Sequence, residues 1–433
     1  MVFIGKYVHY NHELHLQYGD VVRVGPNEIS YTNAQAWRDI YNHGKERIIK
    51  DPHFMGEMPN KTPHIGTADR PTHSRMRKAF SHAFSDRALR KQEPLIQRYT
   101  DKMVSAINDI IEKDPGASVD IVDIYNFTTF DMMAELTFGE PLRLLDNKTY
   151  IPWVTAIFQG LKFMTLRGVL KKIPLLGILS EYLISTTLRK EFETHFRFSS
   201  DLVDRRLARG EDTKPDIWHF VLGDKSQARL SVKEMHSNAA GLMVGGGETV
   251  ATALSGLTYF LLENPAVLKK VTEEVRSAFA SDGEINLLEV ARLKYLGACI
   301  SESLRMYPPA AVGLPRIIPP EGAEVCKEGI PGGTVVYVSN YAAYHSPRNF
   351  DRPNEFLPER WLDDGLHFEH HDAEVFQPFS IGPRNCIGKS LAWHKMRIIM
   401  TKLLWHFDLH NRKENQGNLT GTELKEYDSP EIK

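Results

Sequence analysis

Cys386 is one of only three cysteines in 433 residues, with Cys299 and Cys326. It sits in the stretch QPFSIGPRNCIGKSLAW, Gln377 to Trp393, where Phe379 stands seven positions before it and Arg384 two before it. Glycines flank it at Gly382 and Gly388. A zinc site would need further Cys or His at ligand spacing, and none stands there. A protease-type nucleophile would want a histidine partner and an oxyanion site, and neither has a signature in the sequence. The chemistry that remains is axial ligation of a haem iron, where a thiolate pushes electron density toward bound oxygen. Such a sulfur needs backbone N–H groups around it, and glycine lets the backbone fold closely about sulfur and porphyrin. Phe379 can shield the sulfur, and Arg384 can pair with a propionate. Cys299 and Cys326 read as small buried hydrophobes. The histidines of HFEHH, His367 to His371, read as solvated loop residues rather than as a metal site.

The rest of the chain must position that loop. Composition is ordinary for a globular protein, 42% hydrophobic and 25% charged. A net charge of -2 offers no basic field for nucleic acid. The sparse, odd set of cysteines fits a reducing compartment and no disulfide framework. The opening MVFIGKYVHYNHELHLQYGD is neither a signal peptide nor a membrane span. Ala239 to Leu262 is long enough to span a bilayer, but Glu248 and three glycines sit at its middle, so it reads as a helix buried in protein. Leu161 to Leu183 is apolar and basic. It either rests on an anionic membrane surface or forms a core helix with a solvated lysine face, and both readings stay open.

Periodicity gives mostly helix with a small β portion, in one domain over 1–433. YGDVVRVGPNEISYTN alternates about Gly25–Pro26 and reads as a β-hairpin. Ser85 caps a helix running to Lys113. SVKE, Ser231 to Glu234, has the form of a capping box opening the long apolar helix. Asn264–Pro265 ends that helix and starts the next. Another helix carries LKYLGACISESLRMYPP and stops at its prolines. GTVVYVSNYAAY is β-like, and a last helix follows Cys386.

The motifs are similar to those of the cytochrome P450 family. FSIGPRNCIG matches its cysteine-ligand loop, F-x-x-G-x-R-x-C-x-G, at every fixed position. ESLR resembles the K-helix E-x-x-R at Glu302 and Arg305, and FLPERW the segment whose arginine, Arg360, joins them. GGGET resembles the oxygen-binding groove of the I-helix, at Gly245, Gly246, Glu248 and Thr249. HSRMR resembles a C-helix pattern that brings His73 and Arg77 to the propionates, and LPRIIPP places Arg316 where the family has another propionate arginine. The likeness covers about Tyr18 to Leu409, and the spellings resemble fungal members of secondary metabolism.

The resemblance implies a mainly α cytochrome P450 fold, with haem b between the I-helix and the L-helix with its cysteine loop. It implies Cys386 as the iron ligand, with Phe379, Gly388 and Arg384 around it. Glu302, Arg305 and Arg360 would form a buried triad rather than a surface ion pair. Three glycines would let the I-helix bulge into a groove, where Thr249 holds a water and Glu248 helps bring protons. The plainer reading of GGGET is close helix packing. Substrate contacts would come from Phe54 to His64, from Leu242 and Met243, and from Ala311 to Leu314. The implied reaction inserts one atom of dioxygen into an apolar small molecule, with electrons from NADPH through cytochrome P450 reductase. Lys389 and Lys395 suit the basic side that faces the reductase, or are simply solvated lysines. The alternatives are a haem-containing isomerase, dehydratase or peroxide-using enzyme, and a haem-poor non-catalytic relative; the Glu248–Thr249 pair argues for the monooxygenase. Family members reside on the cytoplasmic face of the endoplasmic reticulum membrane. No anchor or proline-rich hinge is visible here, which leaves a soluble cytoplasmic location open. The tail FDLHNRKENQGNLTGTELKEYDSPEIK shows no counterpart of the C-terminal β-hairpin that touches substrate.

Overall fold

The computed structural model describes residues 6–45, 47–114, 117–171, 184–210, 215–223, 229–362, 368–411 and 422–426. Helices dominate them. The first are α1 (Tyr7–Tyr18), α2 (Ala34–Tyr41), α3 (Pro52–Met55), α4 (Arg70–Ser81), α5 (Asp86–Lys113) and α6 (Ile121–Phe138). Next come α7 (Leu144–Asn147), α8 (Pro152–Lys171), α9 (Thr186–Ala208), α10 (Ile217–Leu222) and α11 (Val232–Met243). A π-turn over Val244–Glu248 leads into α12 (Thr249–Glu263). The remainder are α13 (Pro265–Ala278), α14 (Leu287–Val290), α15 (Lys294–Met306), α16 (Asn340–Tyr344) and α17 (Lys389–His406).

Local chemistry sets the boundaries. The Ser85 hydroxyl accepts the Ala88 N–H and starts α5, whose Leu89, Ile96, Met103 and Ile107 make one buried stripe. Ser231 and Glu234 form the reciprocal capping box of α11. Pro265 takes the first position of α13, where its missing N–H costs nothing. Helix α6 is buried almost all round, so it lies inside the bundle. Its Phe130 and Met133 pack against the π-turn. Among the described residues, no helix is long and apolar enough to cross a membrane. Phe163 and Leu170 of α8 face Phe192 of α9 in a small apolar cluster. The apolar side of 161–171 is thus used within the protein; 172–183 lie outside the described residues.

The β portion is a five-stranded sheet in the order β1 (Val21–Gly25), β2 (Glu28–Tyr31), β8 (Val335–Val338), β5 (Arg316–Ile317), β3 (Ile49–Lys50). β1 and β2 form the expected hairpin. β6 (Ala323–Val325) and β7 (Glu328–Ile330) pair separately. Two features differ from the sequence reading. NYAAY is the helix α16 and not strand, because Asn340 turns its side-chain amide to the Ala310 carbonyl at 2.8 Å and ends the alternation after Val338. The C-terminal segment does form a hairpin: β9 (Phe407–Asn411) pairs antiparallel with β10 (Thr422–Glu426), and β10 pairs with β4 (Ser118–Val119). No residue of β9 lines the cavity described below.

Candidate active site

The cysteine loop closes on itself through the Cys386 N–H, which donates to the Phe379 carbonyl at 2.8 Å. Gly382 turns the loop at φ +72°, and a Cβ there would stand 2.1 Å from the Tyr41 carbonyl oxygen, so only glycine fits. Phe379 packs beside Trp393, ring centroids 6.4 Å apart, with the Lys389 ammonium 5.9 Å from its ring centre. Gly388 caps α17, so the thiol lies at the positive end of a helix. Burial pushes the Cys386 thiol up; the Gly388 N–H, Arg77 and Lys389 act the other way and favour thiolate. The thiol opens onto a cavity of about 440 Å³.

One end of that cavity carries basic groups. β3 and β5 set Lys50 directly opposite Arg316, a like-charge pair that a sheet ordinarily avoids. Helix α4, capped by Asp69 and opened by Pro71, brings His73 and Arg77. Arg77 donates to the Asn385 carbonyl at 2.7 Å and to the Asn385 side chain. Arg384 donates to the Ala68 carbonyl at 2.8 Å through Nη2, while its Nη1 is buried without a partner. Trp37 Nε1, also at the cavity, is another buried donor without a partner. Arg316 lies over the Tyr41 ring at 5.1 Å, on an adjoining cavity that Lys50 shares. Burial and the neighbouring cations push His73 down to about 3 and Lys50 down to about 7. Among the described residues, no aspartate or glutamate lines the main cavity. These orphaned donors and unmatched cations fit the two propionates of a haem whose iron would meet Cys386.

The π-turn forms the wall on the far side. A Cβ on Gly246 would meet Met133 at 2.6 Å and one on Gly247 would meet Phe130 at 2.9 Å, whereas one on Gly245 would meet nothing within 4 Å. Two glycines let α6 approach, and the third leaves an open groove. Thr249 lines the cavity and its hydroxyl donates to the Gly245 carbonyl at 2.7 Å. Glu248 is not on the cavity wall. Its carboxylate accepts from Thr252 one turn on at 3.1 Å, and burial raises its pKa while the Thr252 hydroxyl lowers it. Lys395 departs furthest from expectation. It is 0% exposed, cannot face a partner protein, and donates from Nζ to the Gly246 carbonyl at 3.1 Å. Lys389 remains exposed.

Behind the loop, Glu302 binds Arg305 at 2.8 Å and Arg360 at 3.0 Å, with all three side chains fully buried. The Leu357 N–H at 3.0 Å and the Trp361 indole at 2.9 Å fill the remaining lone pairs of Glu302. Burial opposes its charge, but Arg305 and Arg360 hold the carboxyl below its usual range.

Of the expected substrate contacts, Leu242, Met55, His64 and Leu314 line the main cavity. Phe54 lines the adjoining one, of about 420 Å³. Met243 is buried in the helical core instead, one residue and so about 100° round the helix from Leu242. Ala311 to Gly313 do not line the cavity; Pro309 and Ala310 do. His370 and His371 join no metal-like cluster among the described residues, and His371 packs edge-on to Trp361 at 5.0 Å. The sequence reading missed Lys50, Trp37 and the position of Lys395. For Lys50 the signal lies in its pairing with Arg316, which no local pattern carries.

The Cytochrome P450 family model matches residues 3–424. The chain is 46% identical over 401 residues to the cytochrome P450 monooxygenase efuB of Hormonema carpetanum, covering 92% of this chain and 79% of that protein. It is 43% identical to the cytochrome P450 monooxygenase FUM2 of Gibberella moniliformis, covering 92% and 85%. It is 40% identical to an averantin hydroxylase of Dothistroma septosporum, covering 94% and 76%. The chain belongs to the cytochrome P450 family.

Proposed function

We propose that this haem-thiolate monooxygenase oxidises an apolar small molecule of fungal secondary metabolism in the cavity above Cys386, with Thr249 as its distal polar residue. The observation that carries the reading is a convergence: the Cys386 thiol, the cations Lys50, Arg77 and Arg384, and Thr249 just after the π-turn all open onto one cavity. The rest of its wall is largely apolar, with Met55, Ile65, Leu242, Ala253 and Leu314, which suits a substrate held by burial rather than by charge. One relative is named for hydroxylating averantin, and insertion into a C–H bond fits this wall.

When bound, haem supplies the iron at which dioxygen is activated with electrons passed from NADPH through a reductase. The protein's own residues do the rest. Gly388 N–H and the start of α17 favour the ionised sulfur against the effect of burial. Arg77, Arg384, His73 and Lys50 fix the propionate edge. The groove at Gly245 leaves room for a small molecule and water, and the Thr249 hydroxyl orients that water. Glu248, tied to Thr252 outside the cavity, serves as a proton station between solvent and groove. Lys389, exposed beside the cysteine loop, meets the acidic side of the reductase. A peripheral membrane contact through 161–183 would use residues beyond the inward-facing Phe163 and Leu170.

The test is the absorption spectrum of the reduced, CO-bound protein beside Cys386→Ser. A long-wavelength Soret band lost in the variant supports the reading. Soluble protein that takes up no haem despite haem supply overturns it.

A further inference from the structure

Lys395 has no place in the mechanism above, yet it occupies a critical position. It stands nine residues after Cys386 on α17, the helix that leaves the cysteine loop. Its Nζ reaches the opposite wall and donates to the Gly246 carbonyl inside the π-turn. Wider π spacing weakens the regular ladder there. Lys395 gives the Gly246 carbonyl a side-chain donor. An ammonium carries three N–H groups, and Gly246 is its one hydrogen-bond acceptor among the described residues. Among the described residues no carboxylate pairs with it: Glu248 is bound to Thr252, and burial pushes the lysine down to about 7. The side chain also lines the cavity with Thr249 and Gly245. The ammonium is itself 0% exposed, so it acts on the groove through the backbone carbonyl it holds.

We propose that Lys395 is a positioning residue for the oxidation: it holds the Gly246 carbonyl and keeps the π-turn open, and so sets where the Gly245 groove and Thr249 stand. The inference rests on the haem-thiolate reading of the same cavity. One residue then links the helix of the iron's ligand to the wall where dioxygen is handled.

The experiment uses the haem-loaded full chain as wild type, Lys395→Met, Lys395→Arg, Lys395→Gln and, as a control, Lys113→Met, at an exposed lysine that ends α5. Carbon monoxide is the probe, and the readout is the infrared stretching band of CO on the reduced protein, which responds to polarity in the groove. The expected result is a displaced, broadened band in Lys395→Met, a smaller displacement in Lys395→Gln, and near-wild-type bands in Lys395→Arg and Lys113→Met. With reductase and NADPH, Lys395→Met should also release severalfold more peroxide per NADPH consumed, and Lys113→Met should not. Should Lys395→Met fail to fold, the Gln and Arg variants carry the comparison, and wild-type bands in both overturn the proposal. A wild-type CO band that Lys395→Met leaves unmoved overturns this inference alone. A wild type with no CO band overturns the haem reading and this inference with it.

Discussion

Two buried charge clusters lie on either side of the cysteine loop, and they are built to opposite rules. Glu302, Arg305 and Arg360 share an anion: the carboxylate binds both arginines, its remaining lone pairs take Leu357 and Trp361, and of their polar side-chain atoms Arg360 Nη1 alone is left without a partner. Lys50, His73, Arg77, Arg316 and Arg384 hold no carboxylate among them: Arg316 and Arg384 lower the proton affinity of Lys50, all four cations lower that of His73, and Arg316 lowers that of Arg384. Arg316 lines the adjoining cavity and the other four the main one. A satisfied buried network stabilises one arrangement. An unsatisfied one stores a demand for a partner of opposite sign. The first is scaffold and the second is a socket.

The comparison breaks most severely at Glu302. Glu302→Ala leaves two buried guanidiniums without an anion and should cost about 3–5 kcal/mol, seen as loss of soluble, haem-loaded protein. The socket answers differently, and its sign depends on the ligand. Arg384→Leu should raise the melting temperature of the haem-free chain by relieving repulsion. The same change should weaken haem retention by about 1.5–3 kcal/mol, the worth of a charged hydrogen bond, as measured by haem transfer to apomyoglobin.

Acid sharpens the contrast. The folded-state pKa of His73 is lowered from 6.5 to about 3, so its contribution to stability is present above 6.5 and lost as pH falls toward 3. The slope is at most about 1.4 kcal/mol per pH unit for this proton. The haem-free chain should lose thermal stability from pH 6.5 downward, less so in His73→Phe and less so with haem bound. Glu302 is held below its ordinary value, so the triad should keep its contribution until the solution is more acidic. The smallest effect belongs to the rim. Lys389→Glu should slow reductase-supported turnover a few-fold, more at low salt, as measured by NADPH consumption.

The triad was legible in the sequence because E-x-x-R places its partners one helical turn apart and Arg360 follows in a short motif. Helix caps at Ser85 and Ser231 were legible because each is decided within four residues. The socket was only half legible. Arg77 and Arg384 sit in motifs, but Lys50 acquires its meaning from a strand partner 266 positions away. The C-terminal hairpin hid for the same reason, since β10 is stabilised by β4 from the front of the chain. Lys395 misled because a lysine on a helix ordinarily reads as solvated. Lys402, seven residues on and so on the same face, is also buried, bound to Asp101 and Asp282 at 2.6 Å each. In α17 the basic face turns inward, where a carbonyl and two carboxylates await it.

Phe130 stands behind Gly247, in the place a Cβ would take, yet it is absent from the cavity wall. The groove therefore has a back as well as a front. Residues of the front choose which molecule enters, while Phe130 sets how far the π-turn can settle toward α6. If the groove handles oxygen as proposed, variation at Phe130 would alter that handling while the surface that selects the substrate stays the same, and chemistry and specificity could drift independently.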